Sequence, residues 1–574
     1  MVDRRSLFTG LACLTAGLSL SGCGAAGGSS GEDTGSYPEH WVTCSIGGLS
    51  AIDPVYASNR AGVQVLQALY CPLTKLVDGA IEPYFARSFE MAEDALACTF
   101  HLPEDAFFSN GEAITALSFK RAWERIVRPL AEGPSAGSEG QNADQLPRHS
   151  RWCTLLSAVE GYDAAFQGRA SELVGLRCPD DYTLSVTLTR PLAYFPEIAS
   201  HPALGPVPKV SESDQASFAA EPVGNGPFRL SKSWKDGDDV LLERNDACVW
   251  AAPRVEGLVF VGSADTVAAY NQFQAGKLDV SSVPVDQFED AAKAWGASAE
   301  PSRMKPGERF ARGAESGLVY LLCNTSVAPF DRVELRQAVS YAIDRESLCR
   351  KVLNASAEPA MNVISPCMGS FEPWASCSYD IEYASSIVDA LVAASQESPV
   401  SDVGSFEGEA EPVEPPVLEC ELVCRKGGVM GKVATQVAAD VKGAGLTMKV
   451  AALESEKLLS RLHSGDFQCA LIELEPAVAS PSLIVADLFG RYASRWEGEQ
   501  AGSEELSRSI AEIESGAFRI DRDHAAAAAL KIAGELLSVI PVAHPMYAKA
   551  ASARVEQATV LENGCIDATT IELT

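Results

Sequence analysis

Two rhythms of apolar residues run along the chain. Residues 182–188, Tyr-Thr-Leu-Ser-Val-Thr-Leu, alternate polar and apolar with period two, which predicts a strand with one buried face. Residues 116–127 carry Phe119, Ala122, Trp123, Ile126 and Val127 at i, i+3, i+4, i+7 and i+8, which predicts an amphipathic helix capped by Thr115. Leu335, Val339, Ala342 and Ile343 share one face of a second helix expected within 333–352. Strands and helices intermingle and no internal repeat is found, so the chain reads as an α/β or α+β body.

Three stretches interrupt these rhythms. Residues 131–148, with Gly133, Pro134, Gly137 and Gly140, and the acidic, proline-bearing run 395–416 read as loop insertions. At the N-terminus, Arg4 and Arg5 precede an apolar run, 7–20, too short to span a bilayer, and the order reads as an export signal over 1–22. Its ending, Leu20-Ser-Gly-Cys23, resembles a bacterial lipobox, in which the cysteine sulfur takes a diacylglycerol group and becomes the first residue. Arg4-Arg5-Ser-Leu-Phe8 also resembles a twin-arginine signal. Residues 23–38 form a Gly/Ser tether. The body is therefore expected outside the cytoplasm, lipid-anchored through Cys23.

Composition narrows the function classes. The mature chain exceeds what one hydrophobic core serves, and 47% apolar residues suffice for two or three globular lobes. A formal charge of −31 argues against a nucleic-acid partner. Sixteen cysteines, fourteen once Cys13 and Cys23 are set aside, make disulfides the first expectation for an exported chain. Cys420 and Cys424 are the close pair, on one face of a strand, with zinc as the rival reading. Seven scattered histidines and the lack of His-Glu-x-x-His or Cys-x-x-Cys predict no metal site and no cofactor. Neither Gly-x-Ser-x-Gly nor another nucleophile motif points to catalysis. Gly427-Gly-Val-Met-Gly-Lys-Val433 lacks the spacing and the hydroxyl residue of a phosphate loop and reads as the start of a helix over 433–442.

The order of short motifs is more specific. Leu49-Ser-Ala-Ile-Asp-Pro54, Leu69-Tyr-Cys-Pro-Leu-Thr-Lys75, Phe108-Ser-Asn-Gly-Glu-Ala-Ile-Thr-Ala116, Phe119-x-x-x-Trp123-x-Arg125, Pro222-Val-Gly-Asn-Gly-Pro-Phe-Arg-Leu230, Leu242-Glu-Arg-Asn245, Leu335-Arg-Gln-Ala338 and Ala342-Ile-Asp-Arg345 occur in sequence. Together they resemble the family 5 extracellular solute-binding proteins, the peptide receptors of ABC importers, from about residue 40 to about residue 565. Most of these residues also have structural readings: Asn110-Gly111 and Gly224-Asn-Gly226 as turns, Trp123 as core, Asp344-Arg345 as a local ion pair.

The resemblance implies a bilobal α/β fold of the periplasmic-binding-protein kind, mixed sheets flanked by helices, with an extra domain on lobe one. Lobe one would comprise 39–58, 179–285 and 541–574, the extra domain 59–178 and lobe two 286–540. It implies a non-enzymatic, monomeric receptor that captures a peptide or similar solute between closing lobes and hands it to an ABC permease. Main-chain contacts to ligand are expected from 47–53, with Gly48 and Ser50, and a further contact from Tyr320.

The peptide-anchoring segment departs from the family. Where a typical member has Trp, then an Asp that pairs with the peptide amino terminus, then Tyr and a second Asp, this chain has Leu474, Ala477, Val478 and Ser480. A buried ammonium without a carboxylate is costly, so either Glu473 or Glu475 takes over, or the ligand presents no free α-amino group there; the structural alternative is that both glutamates face solvent. A receptor for a metal chelate, haem or signalling molecule on the same fold, or less readily a surface hydrolase, are the alternatives.

Overall fold

The computed structural model describes residues 37–77, 79–130, 149–397, 416–492, 502–516 and 518–574. The signal segment, Cys23, the tether up to residue 36, the insertion at 131–148 and most of that at 395–416 lie outside the described residues.

A twelve-stranded sheet organises the described chain. Its first half centres on Trp41–Ile46, which pairs in parallel with Gly257–Gly262 on one side and meets Val280–Ser282 on the other. Its second half centres on Leu318–Cys323, antiparallel to Cys469–Leu474, which pairs in parallel with Glu419–Arg425. One thirteen-residue strand, Val539–Ala551, belongs to both halves. Its first part pairs with Leu318–Cys323 and Ala357–Pro359, its last part with Phe310–Ala314 and Val280–Ser282. The two lobes therefore share a backbone strand.

Leu318–Cys323 is buried at every position, as expected of a central strand covered on both faces. Each fully buried Leu or Val there contributes about 1.5–3 kcal/mol of burial. The period-two run becomes Thr183–Thr187, alternately half-buried and buried. It pairs with Ala97–His101 in a four-stranded sheet that also holds Ser88–Met91 and Leu176–Asp180. Phe288 and Phe310 pack with Tyr270, Phe273 and Ala548 in a separate core cluster.

The helix Ala116–Val127 forms as its spacing predicts, with the Ser118 hydroxyl accepting from the Thr115 N–H at 3.2 Å. Trp123 is fully buried and donates to the Leu204 carbonyl at 2.9 Å, so it is core. The expected helix over 333–352 is two helices, Val333–Ala342 and Arg345–Lys351, because the Asp344 side chain caps the second by accepting from the Ser347 N–H at 2.9 Å. Asp344 and Arg345 form no ion pair: Arg345 is buried and donates to the carbonyls of Pro541, Ser340 and Cys377 at 2.8, 2.9 and 3.0 Å. Met430–Gly443 is helical, and Gly427 and Gly428 sit at positive φ ahead of it, which accounts for the glycines of the apparent phosphate loop. Gly224 and Gly226 answer a close approach, since a Cβ at either would lie within 2.3 Å of the Leu69 main chain.

The expected disulfides are not shown among the described residues. All fourteen cysteines of the described residues are free thiols. Cys420 and Cys424 do share a face of Glu419–Arg425, but four strand residues separate their Cα atoms by about 13 Å, too far for a disulfide.

Candidate ligand-binding cleft

The C-terminal end of Trp41–Ile46 runs out of the sheet into Gly47 and Gly48, both exposed, and the chain then turns into the helix Arg60–Leu69. Asn59 joins these pieces: its Oδ1 accepts from the Gly62 N–H at 2.9 Å as the helix cap, and its Nδ2 donates to the Gly48 carbonyl at 2.8 Å. A cavity of about 400 Å³ opens beside this corner, lined by Gly47, Gly48, Arg60, Gln64, Glu315 and Lys549 among others.

Arg60 is the centre of its charge arrangement. Its Nη1 and Nη2 donate to the two oxygens of Glu315 at 2.6 and 2.5 Å, a bidentate pair. Its Nε lies 3.6 Å from Glu475, which reaches in from lobe two, and Arg151 of the extra domain donates to the other Glu475 oxygen at 3.1 Å. Burial opposes the Arg60 charge, but Glu315 and then Glu475 more than offset it and hold its pKa above the ordinary arginine value. Gly564 makes this geometry possible: at φ +75° it brings the chain so close that a Cβ would stand 2.9 Å from Glu315 Oε1. The network thus spans lobe one, the extra domain and lobe two while summing to no net charge.

Lys549, half-buried on the shared strand, is different. Its Nζ donates to the Ser282 hydroxyl at 2.9 Å, and no described carboxylate lies within ion-pair reach. Burial pushes its pKa down from the ordinary lysine value. It is a cation on the cavity wall without a counter-charge of its own, able to receive a carboxylate or carbonyl oxygen.

The six ligand contacts expected from sequence are scattered. Gly48 lines the cavity and Glu475 meets its Arg60 edge. Ser50 is exposed and outside the cavity. Tyr320 lies wholly inside the sheet, opposite Ile472 and Pro541, its buried hydroxyl without a partner and its pKa raised by burial, so it is core rather than a ligand contact. Glu473 is engaged by Arg425 at 3.1 Å, and burial raises its pKa against that pairing. Ala477 borders a separate cavity of about 170 Å³ with Gln67, Tyr70 and His201. Ser480, at the second aspartate position, caps Pro481–Val485 and bonds Glu197 of lobe one, which in turn pairs with Arg522 at 2.9 Å. Sequence reading missed Arg60, Arg151, Glu315 and Lys549. Of these only Lys549 left a local signal, a lone cation in the otherwise apolar run 539–551.

Two lobes sharing a strand, with a cavity at their junction, define a two-lobed binding-protein fold. The chain belongs to the bacterial extracellular solute-binding proteins, family 5, whose middle region matches residues 80–493. It is 27% identical over 385 residues to the oligopeptide-binding protein OppA of Bacillus subtilis (strain 168), 65% of each chain, and 28% identical over 324 residues to the dipeptide-binding protein DppE of the same strain, 55% of this chain and 54% of that one. These matches span less than two thirds of either relative's length. Among solved structures, the unliganded open form of the periplasmic murein tripeptide binding protein MppA has a TM-score of 0.71 at 19% identity, covering 94% of this chain and 98% of that one. Listeria monocytogenes OppA bound to peptide has a TM-score of 0.60 at 19% identity, covering 94% and 100%. The structural likenesses show the fold.

Proposed function

We propose that this protein is the substrate-binding receptor of an ABC importer, tethered through a lipid on Cys23, that closes on a peptide or peptide-like solute and delivers it to a permease. The observation that carries the ligand reading is the charge state of the cleft. Both carboxylates that could replace the family's amino-terminal anchor are already paired, Glu475 with Arg60 and Arg151, and Glu473 with Arg425. Among the described residues lining the cavity, Lys549 is a cation with no carboxylate within ion-pair reach. The ligand is therefore held by main-chain groups near Gly47 and Gly48 and by a carboxylate or carbonyl at Lys549, with a blocked or distant amino terminus.

Calorimetry with four versions of one tripeptide library tests this: free or N-acetylated, each with a C-terminal carboxylate or amide. N-acetylation should leave affinity unchanged or raise it, and C-terminal amidation should lower it about tenfold, a loss near 1.4 kcal/mol. Affinity that collapses on acetylation and ignores amidation would overturn the ligand reading. Binding of none of the four would point to another solute class on the same fold.

A further inference from the structure

Cys71 and Cys248 are 177 positions apart in sequence, yet their sulfurs stand 4.0 Å apart. Each is tied through an asparagine to the short stretch 225–227. Asn225 accepts from the Cys71 N–H and donates to the Cys71 carbonyl, both at 2.9 Å. The Cys248 N–H donates to the Asn245 carbonyl at 3.0 Å, and the Asn245 side chain donates to the Gly226 carbonyl at 2.8 Å. The backbones on both sides are therefore fixed to residues 225–227, and χ1 rotation of the two side chains is the motion that closes the remaining gap to a bond of about 2 Å.

We propose that Cys71 and Cys248 are a redox pair that closes to a single disulfide when the protein meets a disulfide oxidant outside the cytoplasm. The environment distinguishes the two sulfurs. The hydrogen bond from Cys71, aided by the Trp250 and Ala251 N–H groups, outweighs burial and brings the Cys248 thiol down to about 7, whereas burial raises Cys71 well above its ordinary value. Cys248 is also the more accessible, at 8% exposure against none for Cys71. The Cys248 thiolate attacks the oxidant X–S–S–X, forming Cys248–S–S–X and releasing XS⁻. The Cys71 sulfur then attacks Cys248 Sγ, breaking the mixed disulfide; its proton passes to the second departing XS⁻. Two thiols are oxidised and one oxidant disulfide is reduced to two thiols.

Cys323 and Cys469 also lie directly opposite on antiparallel strands in side-chain contact, but burial, then that contact, raises the Cys469 thiol well above its ordinary value, so Cys469 offers no ready thiolate. Cys420 and Cys424 are separated along one strand.

The test is a disulfide map of the full-length protein, reduced, then exposed under native conditions to oxidised glutathione, blocked with N-ethylmaleimide and digested without reductant. The expected product joins the Cys71 peptide to the Cys248 peptide, two hydrogens lighter than their sum, with loss of maleimide from both sites and its return after dithiothreitol. In C71S the Cys248 site should accumulate a glutathione adduct, while C248S should leave Cys71 a thiol. Maleimide on both cysteines of the oxidised wild type, or bonds from either to another cysteine, would overturn the proposal. An adduct at Cys71 in C248S that forms as fast as that at Cys248 in C71S would overturn the assigned order of attack. If either variant fails to fold, the wild-type map still decides the pairing.

Discussion

Two groups of arginines, one inside lobe two and one in the cleft, meet the cost of a buried guanidinium in opposite ways. Arg345 and Arg336 spend their donors on main-chain carbonyls: Arg345 on Ser340, Cys377 and Pro541, Arg336 on Phe330 and Leu536 at 2.6 and 2.7 Å. Carbonyl dipoles satisfy donors without cancelling charge, and burial lowers the Arg345 pKa below the ordinary arginine value. Arg60 and Arg151 meet carboxylates, Glu315 and Glu475, although Arg151 also donates to the Ser58 carbonyl at 2.6 Å. The first arrangement fixes loops and helix ends in place. The second neutralises charge at a wall that other molecules reach, and so decides which charges a ligand can bring.

The comparison breaks most visibly at Arg345. Arg345→Ala strands several buried carbonyls, each costing about 1–3 kcal/mol, so unfolding in urea should show a loss of about 3 kcal/mol or more. The molecules that remain folded should keep their ligand affinity. Acidification comes next. His201 is buried against the Trp152 ring, and burial, followed by the Arg151 charge, lowers its pKa from 6.5 to about 3. Between those values the unfolded chain binds the extra proton, so stability should fall as pH drops from about 6.5 toward 3. His201→Gln should flatten that limb in pH-dependent thermal unfolding, and an unchanged limb would assign it to other groups. Lys549→Gln should leave stability nearly unchanged while weakening a carboxylate-bearing ligand about tenfold to a hundredfold by calorimetry, since a charge-assisted bond is worth about 1.5–3 kcal/mol. Last is Arg151→Gln, which removes a Glu475 partner and a donor to the Ser58 carbonyl from a side chain only 7% exposed: about 1–2 kcal/mol in urea unfolding. A loss at Arg151 as large as that at Arg345 would erase the distinction between the two groups.

The fold was legible where local pattern and tertiary burial ask for the same residue. Ala116–Val127 formed on its apolar stripe, and Thr183–Thr187 on its alternation, because each buries one face against a single layer. Pattern failed at 333–352, where apolar spacing continues across Ile343 and Asp344 although the Asp344 cap starts a new helix. Tyr320 misled for a related reason: a phenol in an apolar run reads equally as a cleft contact or as core, and only burial on both sheet faces decides between them. At the cleft, the altered segment around Ala477 was visible in sequence, but the partners of Glu473 and Glu475 were not.

What the sequence determined by itself was the family, the α/β class and the two-lobed order of motifs, because each of these is written in contiguous residues. What only the tertiary structure decided was which distant residues meet: Arg60 with Glu315 across 255 positions, Arg151 with Glu475 across 324, and Cys71 with Cys248 across 177. The shared strand Val539–Ala551 also carries Lys549 to the cavity wall. Charge pairing and sulfur contact act over a few ångströms of space, whereas sequence spacing constrains side chains only within one element.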